Sequence, residues 1–333
     1  MSYFMTGWQG VKKSFVLSSA VLALILSVPV GVVLAADAPA VPPAIGLSVE
    51  PGGLLIQGVE PGQVYDLEEK TGILLTIHNR DRSDHTYMLA TFRPSEVGNR
   101  RLPLGYEDIG DPAWFWFEQS EVRVPGQESA QVRMYLRVPD DDRYWNQHWS
   151  VSVGVAGKAE PGETLTLAVY PRFEIETAAA GRAELSLRPA GETGLCPTVV
   201  DLGEAGEEQT LGGEFMLCNN DEKTHRYRLA VAKDGDIGEG KQVFPSGGST
   251  WISDPAWIAL PRPRLRPDTR WSGREWPTLW LARRSHVPIP VVLKIPAGIS
   301  VPEGGGEAII SVEREDGETS FVRARLSGSH HGE

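Results

Sequence analysis

The densest concentration of residues able to do intermolecular chemistry lies between positions 262 and 284. Arg262, Arg264, Arg266, Arg270, Arg274, Arg283 and Arg284 stand there with Trp271, Trp276 and Trp280, against only Asp268 and Glu275. Arg and Trp are the side chains that most often anchor interfaces, and Trp also settles at membrane surfaces. The chain as a whole carries a formal charge of −12, so this basic segment opposes its own body. Arg270, Trp271, Arg274, Trp276, Trp280, Arg283 and Arg284 are therefore the expected partner-binding set, facing an envelope or membrane protein complex or anionic lipid headgroups. The alternative is an edge hairpin whose Arg side chains pair with the acidic body and whose indoles cover the end of a domain.

Catalytic chemistry finds no comparable foothold. The sequence contains no His-Glu-x-x-His, no Gly-x-Ser-x-Gly elbow, no Walker loop and no Gly-x-Gly-x-x-Gly after a strand. His85 and His225 each precede a Tyr by two residues at the start of a strand, and a His that bonds the preceding turn explains both. Asp140-Asp141-Asp142 offers oxygens to a hard cation but lacks the spacing of a calcium loop, so a solvated acidic turn is the simpler reading. Asp111 and Asp254 open twin Asp-Pro-Ala-Trp motifs, where Asp makes turn bonds and Trp114 and Trp257 pack inward. Cys196 and Cys218 are the two cysteines; they suit a cross-strand disulfide or two buried thiols, and leave no room for a Cys-rich metal centre. No enzyme, cofactor or metal site is expected, and the acidic balance argues against nucleic acid.

The elements that must hold these residues occur twice. Residues 77–90, containing Asn79, Asp81, His85 and Tyr87, return without a gap as 217–230, containing Asn219, Asp221, His225 and Tyr227. Asp-Pro-Ala-Trp at 111–114 returns at 254–257, and the Tyr-Leu-Arg-Val-Pro run at 135–139 is echoed by Val-Leu-Lys-Ile-Pro at 292–296. A period near 140 residues is that of a whole domain. From Trp114 to Pro139 the first copy spends 25 positions and from Trp257 to Pro296 the second spends 39, so the basic segment sits in an insertion.

Within each copy apolar residues fall at every second position, as in Ile73-Leu75-Ile77, Val132-Met134-Leu136-Val138 and Val291-Leu293-Ile295, with Gly, Pro, Asn and Asp between the runs. That period marks strands with one buried face, and some seven short strands per copy mark an antiparallel sandwich. The expected fold is all-β: two tandem immunoglobulin-like antiparallel sandwiches over 45–177 and 181–326, after an N-terminal hydrophobic helix, with 327–333 as a tail. Residues 37–44 form an Ala/Pro-rich tether. The first 36 residues pair a basic start ending in Lys12-Lys13 with an uncharged run from Ser14 to Ala36, an export signal cleaved after Ala35 or a retained membrane anchor.

The order of a Pro-Gly-Gln turn, a strand ending in Asn, a polar turn and a Tyr-containing strand, then Val124-Pro125-Gly126-Gln127 leading into residues 132–139, resembles exported bacterial immunoglobulin-like modules. It is similar to those of pilus chaperones and major sperm protein, and to the two-sandwich surface proteins that accompany WxL-domain proteins. Pilus chaperones hold a subunit's carboxylate with an Arg in the opening strand, and residues 45–50 contain no Arg. The expectation is a non-enzymatic, extracytoplasmic binding or scaffold protein of the cell envelope, an accessory subunit of a membrane complex. The alternatives are a periplasmic assembly chaperone acting by strand addition, or a carbohydrate-binding module.

Overall fold

Alternation of apolar and polar residues needs a partner sheet to bury its apolar face, and both copies supply one. A computed structural model describes residues 46–98, 102–158, 167–180, 191–204, 210–232, 243, 250–252, 254–261, 270–272, 277–299, 301 and 303–328. In the first copy, Leu47–Glu50 pairs with Leu75–Asn79, which pairs with Ser129–Val132. After a break at Arg133 that strand continues as Met134–Arg137, flanked by Val64–Asp66 and Phe115–Phe117. The facing sheet runs in the order Gly53–Val59, Arg172–Thr177, His148–Gly157, His85–Phe92, Glu121–Val124. Between the two sheets lie Ile56, Leu75, Ile77, Phe115, Val132, Met134, Leu136, Val151, Val153, Phe173 and Ile175, none more than 1% exposed.

The second copy repeats this wiring. Thr193–Cys196, Thr210–Asn219, Ser285–Lys294 and Ile258–Ala259 form one sheet. Val199–Glu204, Thr319–Ser327, Gly306–Arg314, His225–Val231, Thr278–Leu281 and Arg270–Ser272 form the other. In each copy the opening strand crosses between sheets at a cis X-Pro bond, Glu50-Pro51 and Cys196-Pro197, and then runs parallel to the last strand of its own copy. The more numerous short strands replace the expected seven because several of those strands break and change partner. Both sandwiches belong to one compact unit running from Pro43 to Glu333. The hydrophobic segment and tether lie outside the described residues, as does most of the tail; among the described residues no helix is long and apolar enough to cross a membrane.

The duplication extends to single hydrogen bonds. Asn79 Nδ2 donates to the carbonyls of Ser83, Val124 and Pro125 at 2.7, 3.0 and 3.1 Å, and Asn219 Nδ2 to those of Lys223, Leu281 and Ala282 at 2.7, 3.0 and 3.0 Å. Each Asn side-chain oxygen accepts from the amide of Asp81 or Asp221 at 3.0 Å. A buried amide side chain with these bonds fixes the polar turn between two strands and ties it to a third.

Candidate partner-binding surfaces

The histidines belong to those turns. His85 Nε2 lies 3.1 Å from Asp81 Oδ2, and His225 Nε2 lies 2.8 Å from Asp221 Oδ2. The side-chain bond from the histidine, followed by the amides of Arg82 and Glu222, holds each Asp carboxyl below its ordinary range. Asp111 and Asp254 accept from the amides of Ala113 and Ala256 at 2.9 and 2.8 Å, each capping a single turn that carries its Trp to the core edge. Trp114 meets Trp149 edge to face at 5.3 Å. In the acidic turn, Asp141 caps the turn Asp142–Tyr144 and pairs with Arg143 at 2.7 Å. Among the described residues no group of three His, Cys, Asp or Glu gathers to hold a metal.

Of the two readings the sequence allowed for the cysteines, a bridge or two buried thiols, the structure shows two buried thiols. Cys196 stands opposite Met216 in the ladder and Gly194 stands opposite Cys218. The two cysteines thus stand diagonally across the ladder, a relation that puts Cα atoms roughly 7–8 Å apart, beyond the usual Cα separation of a disulfide. Cys196 Sγ instead lies 3.0 Å from the carbonyl of Ala180.

The strand ladders redraw the basic insertion. Glu121–Val124 pairs with His85–Phe92 in the register His85↔Val124, and Thr278–Leu281 pairs with His225–Val231 in the register His225↔Leu281. Trp280 is therefore the counterpart of Arg123. Gln127 and Arg284 each follow that strand by three residues, have φ of 64° and 48°, and donate their amides to Asp81 and Asp221. Trp280, Arg283 and Arg284 are consequently scaffold positions, against the expectation that they belong to the insertion; Arg284 also pairs with Glu222 at 2.8 Å. Trp114 precedes Glu121 by seven residues and Trp257 precedes Thr278 by 21, so the extra chain lies wholly before Thr278.

Part of that chain forms the strand Arg270–Ser272, antiparallel to Thr278–Leu281, with Arg270 opposite Trp280 and Trp271 opposite Leu279. The second copy thus has one more edge strand than the first. Arg274 and Trp276 lie outside the described residues. Across the ladder Trp280 stands between Arg226 and Arg270, Arg226 and Arg283 are exposed, and Arg228 is paired with Glu313.

A second cluster, between the copies, escaped the sequence. Arg323 of the second sandwich, fully buried, donates through Nε to Glu176 Oε2 of the first at 2.7 Å and through Nη1 to Glu307 Oε2 at 2.7 Å. Gln57 and Tyr106 complete the Glu176 carboxylate at 2.7 and 2.5 Å. His148 lies flat on Phe321 at 4.0 Å. Asn146 Oδ1 accepts from the amides of Ala180 and Thr198 at 3.2 and 3.1 Å, tying the connecting segment to both sandwiches. Gly105, at φ 76°, is required here: a Cβ would meet Phe321 Cδ1 at 2.5 Å. Burial alone would push Glu176 up, but the Arg323 charge, aided by His148, outweighs it and holds the carboxyl down at about 2. At the junction the Arg323 guanidinium is engaged from both copies. The only available sequence signal was weak: glutamates and an arginine at alternate positions of otherwise apolar strands.

No protein-family model matches the sequence, and no curated protein matches it. Among solved structures the chain is similar to a Porphyromonas gingivalis W83 protein of unknown function, at 11% identity and a TM-score of 0.32, over 84% of this chain and 99% of that one. It is similar to the E. coli chaperone DraB, at 13% identity and a TM-score of 0.28, over 85% and 97% of the two chains. A third likeness is to a chain of the Salmonella enterica SafA pilin in complex with the SafB chaperone, at 10% identity and a TM-score of 0.28, over 84% of this chain and 96% of that one. The resemblance read from the sequence is met at the level of fold. At these scores it carries no argument about partners, and the architecture stands on the strand pairing above.

Proposed function

We propose that this chain is a non-enzymatic binding and scaffold protein of the cell envelope, exported by its N-terminal hydrophobic segment and serving as an accessory subunit of a membrane complex. The partner docks on the added edge hairpin, where Arg270 and Trp271 lead and Arg274 and Trp276 follow in sequence. One observation carries this reading: the copies agree down to individual hydrogen bonds, yet the second extends its sheet by a strand the shared fold does not need. A basic edge on an acidic body speeds encounter with an acidic partner and makes the association weaken with salt. Strand addition by a client is the second reading, favoured by the position of Arg270–Ser272 at the end of its sheet.

A pull-down from native membranes tests the main reading. Replacing Trp271, Arg274 and Trp276 together by Ala should leave the thermal transition within a few degrees of the parent while partner retention falls at least about tenfold, as for loss of interface anchors. Undiminished retention by the folded variant would move the binding surface elsewhere.

A further inference from the structure

We propose that the outer face of the first sandwich, around Trp116 and Tyr135, is a binding platform for a neutral polysaccharide. Leu136, Met134 and Phe115 of this three-stranded face are buried, so alternation turns Trp116 and Tyr135 the other way. The two stand directly opposite each other in the ladder, with ring centroids 5.6 Å apart and planes 19° from parallel. Trp116 is 37% exposed, and Val64, on the neighbouring strand, is 53% exposed.

The duplication shows that the scaffold does not require these rings. Ala259 opposite Val292 in the second sandwich occupies the positions of Trp116 opposite Tyr135, and Gly212 occupies that of Asp66. The same sheet thus forms from Gly, Val and Ala where the first copy places Asp, Tyr and Trp. Large exposed aromatics outside the needs of folding mark a contact surface.

The rim decides the chemistry of the occupant. Arg133 bridges Asp66 at 3.0 Å and Glu68 at 2.8 Å, and Arg137, opposite Val64, is exposed. Arg133, Asp66 and Glu68 are held in place by their own pairing. A phosphate or an anionic headgroup would meet both carboxylates. A proline-rich peptide offers mainly carbonyl acceptors and would leave those carboxylates idle. A hydroxyl gives and takes a hydrogen bond at once, and the C–H face of a sugar ring lies on an indole, so a polyhydroxyl chain without net charge uses every group present.

The test uses the full chain labelled with 5-fluorotryptophan, with cellohexaose and chitohexaose as probes. Fluorine NMR should show the Trp116 resonance, assigned by Trp116→Phe, shifting with saccharide while that of Trp280 stays in place. Tyr135→Ala should weaken binding about two- to tenfold, the loss of one stacking contact, and Trp116→Phe should largely retain it. Because the main readout is the unmodified chain's own resonance, it does not depend on the folding of an alanine variant. No shift with either saccharide, a shift confined to other tryptophans, or a Trp116 response only to a proline-rich peptide or anionic vesicles would each overturn the proposal.

Discussion

Glu174 and Glu176 are two residues apart on one strand and face the same way, yet their surroundings drive them in opposite directions. Glu176 finds Arg323, whereas Glu174 is buried with Arg172 at 2.9 Å and one carboxylate oxygen unpartnered. Burial dominates, the Arg172 charge opposes it only in part, and the Glu174 carboxyl is raised to about 7. The signs follow by linkage. Glu176, lowered to about 2, contributes stability above its ordinary 4.5 that is lost as pH falls toward 2. Glu174 keeps its proton in the folded state while the unfolded chain loses it above 4.5, so stability declines as pH rises from about 4.5 to about 7. The second effect amounts to at most about 3 kcal/mol, and Glu174→Gln should abolish it, flattening the denaturation midpoint between pH 5 and 7. An unchanged slope in that variant would assign the dependence to another group. The turn residues Asn79, Asp81 and His85 were legible in the sequence because the repeat prints them twice. Glu176 and Arg323 were not, since a polar residue at an alternate strand position reads the same whether it faces water or another sheet.

At the scale of elements, the period of two marked strands and the repeat marked two equivalent copies, but neither showed where the insertion began. Counting residues between landmarks placed Trp280, Arg283 and Arg284 inside it, because composition alone joined them to Arg270 and Trp271. The ladder His225↔Leu281 assigns Thr278–Leu281 to the shared scaffold and leaves Arg270–Ser272 as the added strand. The choice between a bridge and two thiols was open in the sequence for a similar reason: a register that sets Cys196 across from Met216 leaves no signal in spacing. If the added strand is dispensable to the fold, cutting residues 258–277 back to the six that join Trp114 to Glu121 should give a folded protein. Hydrogen exchange would then show faster amides in Thr278–Leu281, newly at the sheet edge, and unchanged protection in Gly306–Arg314. Loss of protection throughout the second sandwich would make the strand a structural cover.

For the whole molecule, the seam between the copies carries a buried ion pair of its own. Breaking a buried ion pair from one side costs about 3–5 kcal/mol, and Arg323 of the second sandwich makes such a pair across the seam with Glu176 of the first. The basic edge and the aromatic face lie on different sandwiches, and the scaffold holds both while leaving their chemistry free. The most direct measurement of the central claim is site-specific photocrosslinking in native membranes, with the probe placed at Trp271 on the added strand and, separately, at Arg123, the first-copy twin of Trp280. A partner docked on the hairpin predicts a discrete crosslinked adduct from position 271, lost at high salt, and none from position 123. Equal adducts from the two positions, or an adduct from 123 alone, would contradict it.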